Sequence, residues 1–178
     1  MRMRIRGIVV ASLGVLGLAV PASAQSRLEL SVAGGLTPVA QGDWDRGYAG
    51  GAHAQIAVTL PRALGPLGVR GEAFVHGFRR ETFGDLLSRR TTLPGAAASA
   101  VLPIGPATAA LRPYLLAGGG TYRTEVGGGG PEWHFGLSGG GGVQLGHGRF
   151  GAFVEARLHQ VYDGSTPRLV PVSLGLRF

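Results

Sequence analysis

Residues 150–159 read "FGAFVEARLH", and two patterns interleave in them. Phe150, Ala152, Val154, Ala156 and Leu158 occupy the even positions. Phe153, Glu155, Arg157 and His159 occupy the odd ones. A period of two is that of a strand with unlike faces. One face is wholly apolar, and the other carries an acid and a base two residues apart. That second face either meets water or lines an enclosed polar interior. Deciding between the two decides the fold.

The same alternation recurs along the chain and predicts eight strands. They cover 26–37, 48–60, 67–79, 91–102, 111–122, 133–145, 149–162 and 170–178. In the first, Leu28, Leu30, Val32 and Leu36 oppose Arg27, Glu29 and Ser31. In the second, Tyr48, Ala52, Ala54, Ile56, Val58 and Leu60 oppose His53, Gln55 and Thr59. In the third, Val69, Ala73 and Val75 oppose Arg70, Glu72, Phe74 and His76. The fourth is nearly all small residues; Ala96, Ala98, Ala100 and Leu102 are read as outward and Ser99 as inward. In the fifth, Leu111, Pro113, Leu115 and Ala117 oppose Arg112, Tyr114, Leu116 and Tyr122. In the sixth, Trp133, Phe135, Leu137, Val143 and Leu145 oppose His134, Ser138 and Gln144. The last places Val170, Val172, Leu174, Leu176 and Phe178 opposite Ser173 and Arg177, with Pro171 predicting irregular pairing.

The connections alternate as well. Those at 61–66, 103–110 and 146–148 are short and marked by Gly or Pro. Those reading "PVAQGDWDRG", "RETFGDLLSRR", "RTEVGGGGPE" and "DGSTPR" are longer or more charged. Short turns at one end and long loops at the other are the habit of membrane barrels. No later segment has eighteen consecutive apolar residues, so no membrane helix is expected. Each strand is long enough to span a bilayer, for which about 9 to 11 tilted residues suffice.

A soluble sandwich explains alternation equally well, with the charged face solvated. It does not explain eight alternating segments of spanning length, nor aromatic residues at strand ends such as Tyr48, Trp133 and Phe178. The expected fold is therefore an all-β, eight-stranded antiparallel up-and-down transmembrane barrel. A spanning sheet must close, because an open edge would strand backbone polar groups in hydrocarbon. Eight strands leave an interior just wide enough for side chains to fill.

The chain has 178 residues, a formal charge of +7, no Lys and no Cys. Arg2, Arg4 and Arg6, the apolar stretch 8–20 and Ala22-Ser23-Ala24 form a secretory signal peptide. The expected organisation is a cleaved leader at 1–24 and one barrel domain at 25–178. Removing three arginines lowers the charge from +7 to +4. The remaining arginines are scattered, which argues against a nucleic-acid surface.

At this point the chain resembles the small outer-membrane β-barrel families of the OmpA/OmpX type. The stretches that carry the resemblance are "LRPYLLAGGGTYR" (111–123), "FVEARLHQVYDG" (153–164) and "VPVSLGLRF" (170–178). It implies the outer membrane of a Gram-negative-type bacterium, contact with outer-membrane lipid, and a monomer. It also implies that Val172, Leu174, Leu176 and Phe178 form the terminal strand read by the outer-membrane assembly machinery.

Closure turns Arg27, Glu29, Arg70, Glu72, Arg112, Glu155, Arg157 and Arg177 into the lumen. There they are expected to form a structural network of ion pairs, since buried charges need partners. Inward Gly140 and Gly142 are expected to make room for large neighbours such as Phe153 and Tyr122. Asp43, Trp44, Asp45, Phe83, Arg89 and Arg90 are the expected loop contacts, because function on rigid scaffolds sits in loops. His53, His76, His134 and His159 face inward without metal-ligand spacing. No glycine run continues into a phosphate-loop motif. No metal or other cofactor is expected.

The function expected is non-enzymatic: an envelope scaffold or surface-interaction protein with a filled polar lumen. One alternative is an outer-membrane enzyme acting on lipid A acyl chains. His134 and Ser138 are four apart, and His159 is followed by Gln160 and Val161, so neither matches that local pattern. The other alternative is a soluble periplasmic lipocalin-like barrel holding a small apolar ligand. The charged inward face opposes it, because such a pocket is mainly apolar.

Overall fold

The computed structural model describes residues 28–41, 48–80, 90–124, 130, 132–146, 150–162 and 168–178. Ten strands form one antiparallel sheet. They are β1 Glu29–Thr37, β2 Val39–Gln41, β3 Tyr48–Leu64, β4 Leu67–Arg80, β5 Arg90–Pro103, β6 Leu111–Thr124, β7 Glu132–Leu145, β8 Gly151–Val161, β9 Arg168–Leu169 and β10 Val172–Arg177. Six of these are single walls of the barrel. β1 continues into β2, and β9 into β10, giving two more walls.

The sheet closes on itself. β10 pairs with β8 on one side and with β1 on the other. The closing seam sets Ser31 opposite Arg177 and Leu36 opposite Val172. Leu30 and Phe178 exchange backbone hydrogen bonds at 2.8 and 2.9 Å. β2 pairs with β9 and extends the seam beyond it. Every wall thus has two neighbours, and the sheet has no edge to defend.

The alternation read from the sequence divides the two faces. Leu36, Ile56, Val75, Leu115, Phe135, Val154, Leu158 and Leu174 point outward and are exposed. Ser31, His53, Arg70, Glu72, Phe74, Tyr114, Phe153, Glu155 and Arg157 point inward and are buried. On β5 the outward set is Ala96, Ala98, Ala100 and Leu102, and Ser99 lies inside. Among the described residues, 24 large hydrophobic side chains are exposed and 11 hydrophobic ones are buried. Such an inside-out distribution is costly in water and suits a hydrocarbon surround.

Several boundaries differ from the expectation. The connection assigned to 61–66 is a tight turn at Gly65 and Pro66, because β3 runs on to Leu64 and pairs it with Leu67. The register shifts between Leu60 and Leu64, where Arg62 adopts φ 55°. At the other end, the expected loops give up residues near their ends to the walls: Val39–Gln41, Arg80, Arg90, Arg123, Thr124, Glu132 and Arg168 are all in strands. A second register shift lies between Tyr48 and Gly51, where Gly50 takes φ 109°. Glycine reaches that conformation without steric penalty, and a shift of this kind cannot be read from period-two patterning. Pro171 falls in the gap between β9 and β10, consistent with its missing ladder donor.

Candidate functional site

The lumen holds a charged centre built on two facing walls. In the closed order of eight walls, β4 and β8 are four apart, so they lie across the barrel from each other. β4 supplies Arg70 and Glu72, and β8 supplies Glu155 and Arg157. Two-residue spacing on each strand puts both pairs on the inner face. Arg70 Nη1 donates to Glu155 Oε2 at 2.6 Å. Arg157 Nε donates to Glu155 Oε1 at 2.7 Å. Arg157 also forks onto Glu72, with Nη1 to Oε1 and Nη2 to Oε2, the second at 2.8 Å.

Two cations and two carboxylates cancel within this cluster. The Glu155 and Arg157 side chains are 1% and 2% exposed. Tyr114 Oη adds a third donor to Glu155 at 2.6 Å. Arg70 lies over the Phe153 ring, 5.6 Å from its centroid. Burying four charges is tolerable because each is met by opposite charge and hydrogen bonds.

The wall beside β8 makes this centre possible by having no side chains there. Gly142 and Gly140 on β7 are the register partners of Glu155 and Arg157. A Cβ on Gly142 would lie 2.5 Å from Tyr114 Oη. Tyr114, rather than Phe153 or Tyr122, is therefore the large neighbour that Gly142 admits. Tyr122 instead crosses over Gly136, and Phe153 crosses over Gly175. The sequence pattern showed that inward glycines serve inward rings, but pairing them required the register.

Towards the loop end the lumen becomes aromatic and apolar. Phe74, Phe78, Leu93, Tyr122, Val161 and Leu169 form one buried cluster. His53, His76 and His159 lie beneath and within it, with ring centroids of His53 and His76 5.4 Å apart and of His76 and His159 5.8 Å apart. Thr37 Oγ1 lies 3.0 Å from Nδ1 of both His53 and His76. His53 Nε2 is 2.8 Å from Ser173 Oγ, and Tyr122 Oη is 2.6 Å from His159 Nδ1. A hydroxyl has one proton and two lone pairs, so Thr37 donates to no more than one of the two imidazoles. His134 stands apart, 3.7 Å from Glu132.

The turn end is polar and looser. Arg177 Nη1 reaches Glu29 Oε1 only at 3.5 Å. Arg112 Nη2 donates to the amide oxygen of Gln144 at 2.9 Å. The expectation that Arg112 joins an ion pair is corrected: among the described residues its hydrogen-bond partner is a neutral amide on the adjacent strand. Of the expected eight members, seven are described: four form the centre, Arg177 and Glu29 form a separate pair, and Arg112 bonds to Gln144. Arg27, Asp43, Trp44, Asp45, Phe83 and Arg89 lie outside the described residues, and of Arg90 only the backbone, at the start of β5, is described. Outside the barrel, Val172, Leu174, Leu176 and Phe178 are exposed along one face, and Phe135 stacks on Tyr162 with 6.3 Å between centroids.

Thr37, Ser173, Tyr114, Phe78 and Leu93 are lumen residues that reasoning from charge alone passed over. All sit on inward positions of the same alternation, so facing was the signal, and charge was too narrow a filter.

No protein-family model and no curated protein matches the chain. Solved structures do. Neisserial surface protein A superposes with a TM-score of 0.66 at 18% identity, covering 84% of this chain and 95% of its own. Ail, the attachment invasion locus protein of Yersinia pestis, gives 0.55 at 18% identity, covering 85% and 97%. The N-terminal β-barrel domain of Pseudomonas aeruginosa OprF gives 0.52 at 11% identity, covering 84% and 97%. The fold is that of the small eight-stranded outer-membrane β-barrels.

Proposed function

We propose that this chain is a monomeric outer-membrane barrel whose lumen is sealed and whose work is done by its loop-end segments, without catalysis. A leader at 1–24 would export it. The observation that carries the reading is the charged centre joining β4 to β8 across the axis. A pore wall would be expected to leave its charges facing water. Here they are spent on one another, under an apolar cap. The barrel then serves as a rigid mount for surface contacts.

Two of the structural neighbours favour a surface role. One is called a surface protein, and the other an attachment invasion protein that has been solved with the heparin analogue sucrose octasulfate. The lumen offers no support for acyl-chain chemistry. Among the described residues, the Ser173–His53 pair is completed by Thr37 rather than by a carboxylate, so the orienting acid of a hydrolase triad is missing from it.

The test is conductance. Purified protein inserted into a planar lipid bilayer should give no stable ion-conducting step. A steady open channel would overturn the sealed-lumen reading. Release of acyl chains from lipid A by the same preparation would overturn the non-enzymatic one.

A further inference from the structure

The turn end of the lumen holds two arginines that the charged centre does not use. Arg112 projects from β6 and Arg177 from β10, two walls that are not neighbours. Both line a cavity of about 140 Å³, with Glu29 and Gln144 beside them and Ala107 and Gly146 at its rim. The space exceeds what a single water needs. Among the described residues, its lining holds two guanidinium groups against one carboxylate.

The pairing inside this cavity is incomplete. Arg177 meets Glu29 only at 3.5 Å. Its Nε is shielded from solvent and has no hydrogen-bond partner among the described residues. Its side chain is nonetheless only 11% exposed. Gly151 leaves the path open for it: a Cβ there would lie 2.9 Å from that same Nε. Arg112 commits one donor to a neutral amide, and a guanidinium has five. A buried, underused donor is costly unless something accepts from it.

The space narrows inward. Behind it lies a void of about 20 Å³, lined in part by Glu29, Gln144, Arg177, Arg70 and Phe153. That is room for about one water. A ligand entering the mouth would stop there, short of Glu155.

The geometry points to an oxyanion site at the turn end of the lumen, in which Arg112 and Arg177 together hold a single carboxylate or phosphate group. Guanidinium forks match both groups with paired hydrogen bonds. Glu29 sets the charge limit: among the described residues the lining has one net positive charge and suits a singly charged group better than a polyanion. It lies at the opposite end of the barrel from the loop segments of the proposed function and does not depend on their role.

The test is a titration of the full chain, folded in detergent micelles, followed through the arginine side-chain N–H signals by NMR. Sodium phosphate and sodium acetate are added separately, against sodium chloride at equal ionic strength. The expected result is a saturable shift confined to Arg112 and Arg177 with at least one of the two anions. Saturation by acetate alone assigns a carboxylate ligand, and saturation by phosphate alone assigns a phosphate. Arg112→Gln should weaken binding by roughly tenfold or more, as the loss of a charge-assisted hydrogen bond implies. Shifts that grow linearly, spread equally to Arg168 on the loop side, or survive Arg112→Gln unchanged would overturn the site. If that variant does not fold, the pattern of shifts in the unaltered chain decides.

Discussion

Arg70 on β4 and Glu155 on β8 meet across the barrel axis, 2.6 Å apart and almost fully buried. No strand separates them in the lumen, and no neighbouring strand could bring them together. Their contact, with Arg157 and Glu72 beside it, ties opposite walls of the cylinder through its centre.

Breaking that tie should be expensive. Glu155→Ala takes the carboxylate away from Arg70 and from one nitrogen of Arg157, which costs about 3–5 kcal/mol where one partner of a buried pair is lost. Urea denaturation in lipid vesicles should show it as a lowered midpoint. Insertion should survive, because the exterior face is untouched. An unchanged midpoint would mean that Glu155 does not hold the walls together.

Gly142→Ala should destabilise the barrel by a local collision. The added methyl meets Tyr114 Oη and the Val154 carbonyl, each 2.5 Å from its place. Overpacking of this kind costs about 1–3 kcal/mol or more. Tyr114→Phe removes the donor to Glu155 by a different route. Combined with Gly142→Ala it should cost less than the sum of the two, since both act on one contact. Strict additivity, measured by the same denaturation, would contradict the geometry.

Thr37→Val should unlink the two histidines it bridges. Two imidazole nitrogens would lose their shared hydroxyl beneath the apolar cap, at about 1–3 kcal/mol for groups left unsatisfied. Thr37→Ser keeps the hydroxyl and should restore most of the stability. Failure of serine to rescue would assign the loss to packing of the methyl instead.

The exterior makes the sharpest distinction between a membrane barrel and a soluble one. Leu174 is 65% exposed in the middle of the seam. Leu174→Arg should cost about 2–4 kcal/mol near the midplane of a bilayer. The same change on a surface facing water would be nearly neutral. Refolding into lipid vesicles, compared with the unaltered chain, reads the difference.

Much of this was legible in the residues, and for one physical reason. A barrel wall that divides lipid from a polar interior forces every second side chain to one side. "FGAFVEARLH" already separates Val154 and Leu158 from Glu155 and Arg157. Facing alone put Arg70, Glu72 and Arg112 in the lumen. It could not say that Arg157 forks onto Glu72 while Arg112 turns to Gln144, because that depends on which walls oppose each other and at what height. The register shift at Gly50 and the tight turn at Gly65 were likewise hidden. Both rest on a backbone angle that glycine permits without announcing it in the hydrophobic pattern. Tyr114 was visible as inward and was overlooked because it bears no charge.

The central claim is that the apolar face meets lipid and the charged face closes the interior. Fractionation of cells expressing the full chain, with gel migration compared before and after heating, tests it most directly. The expected result is recovery in the outer-membrane fraction with a heat-dependent shift in mobility, as a closed barrel resists unfolding until heated. Recovery in the soluble periplasmic fraction, with one mobility throughout, would contradict it.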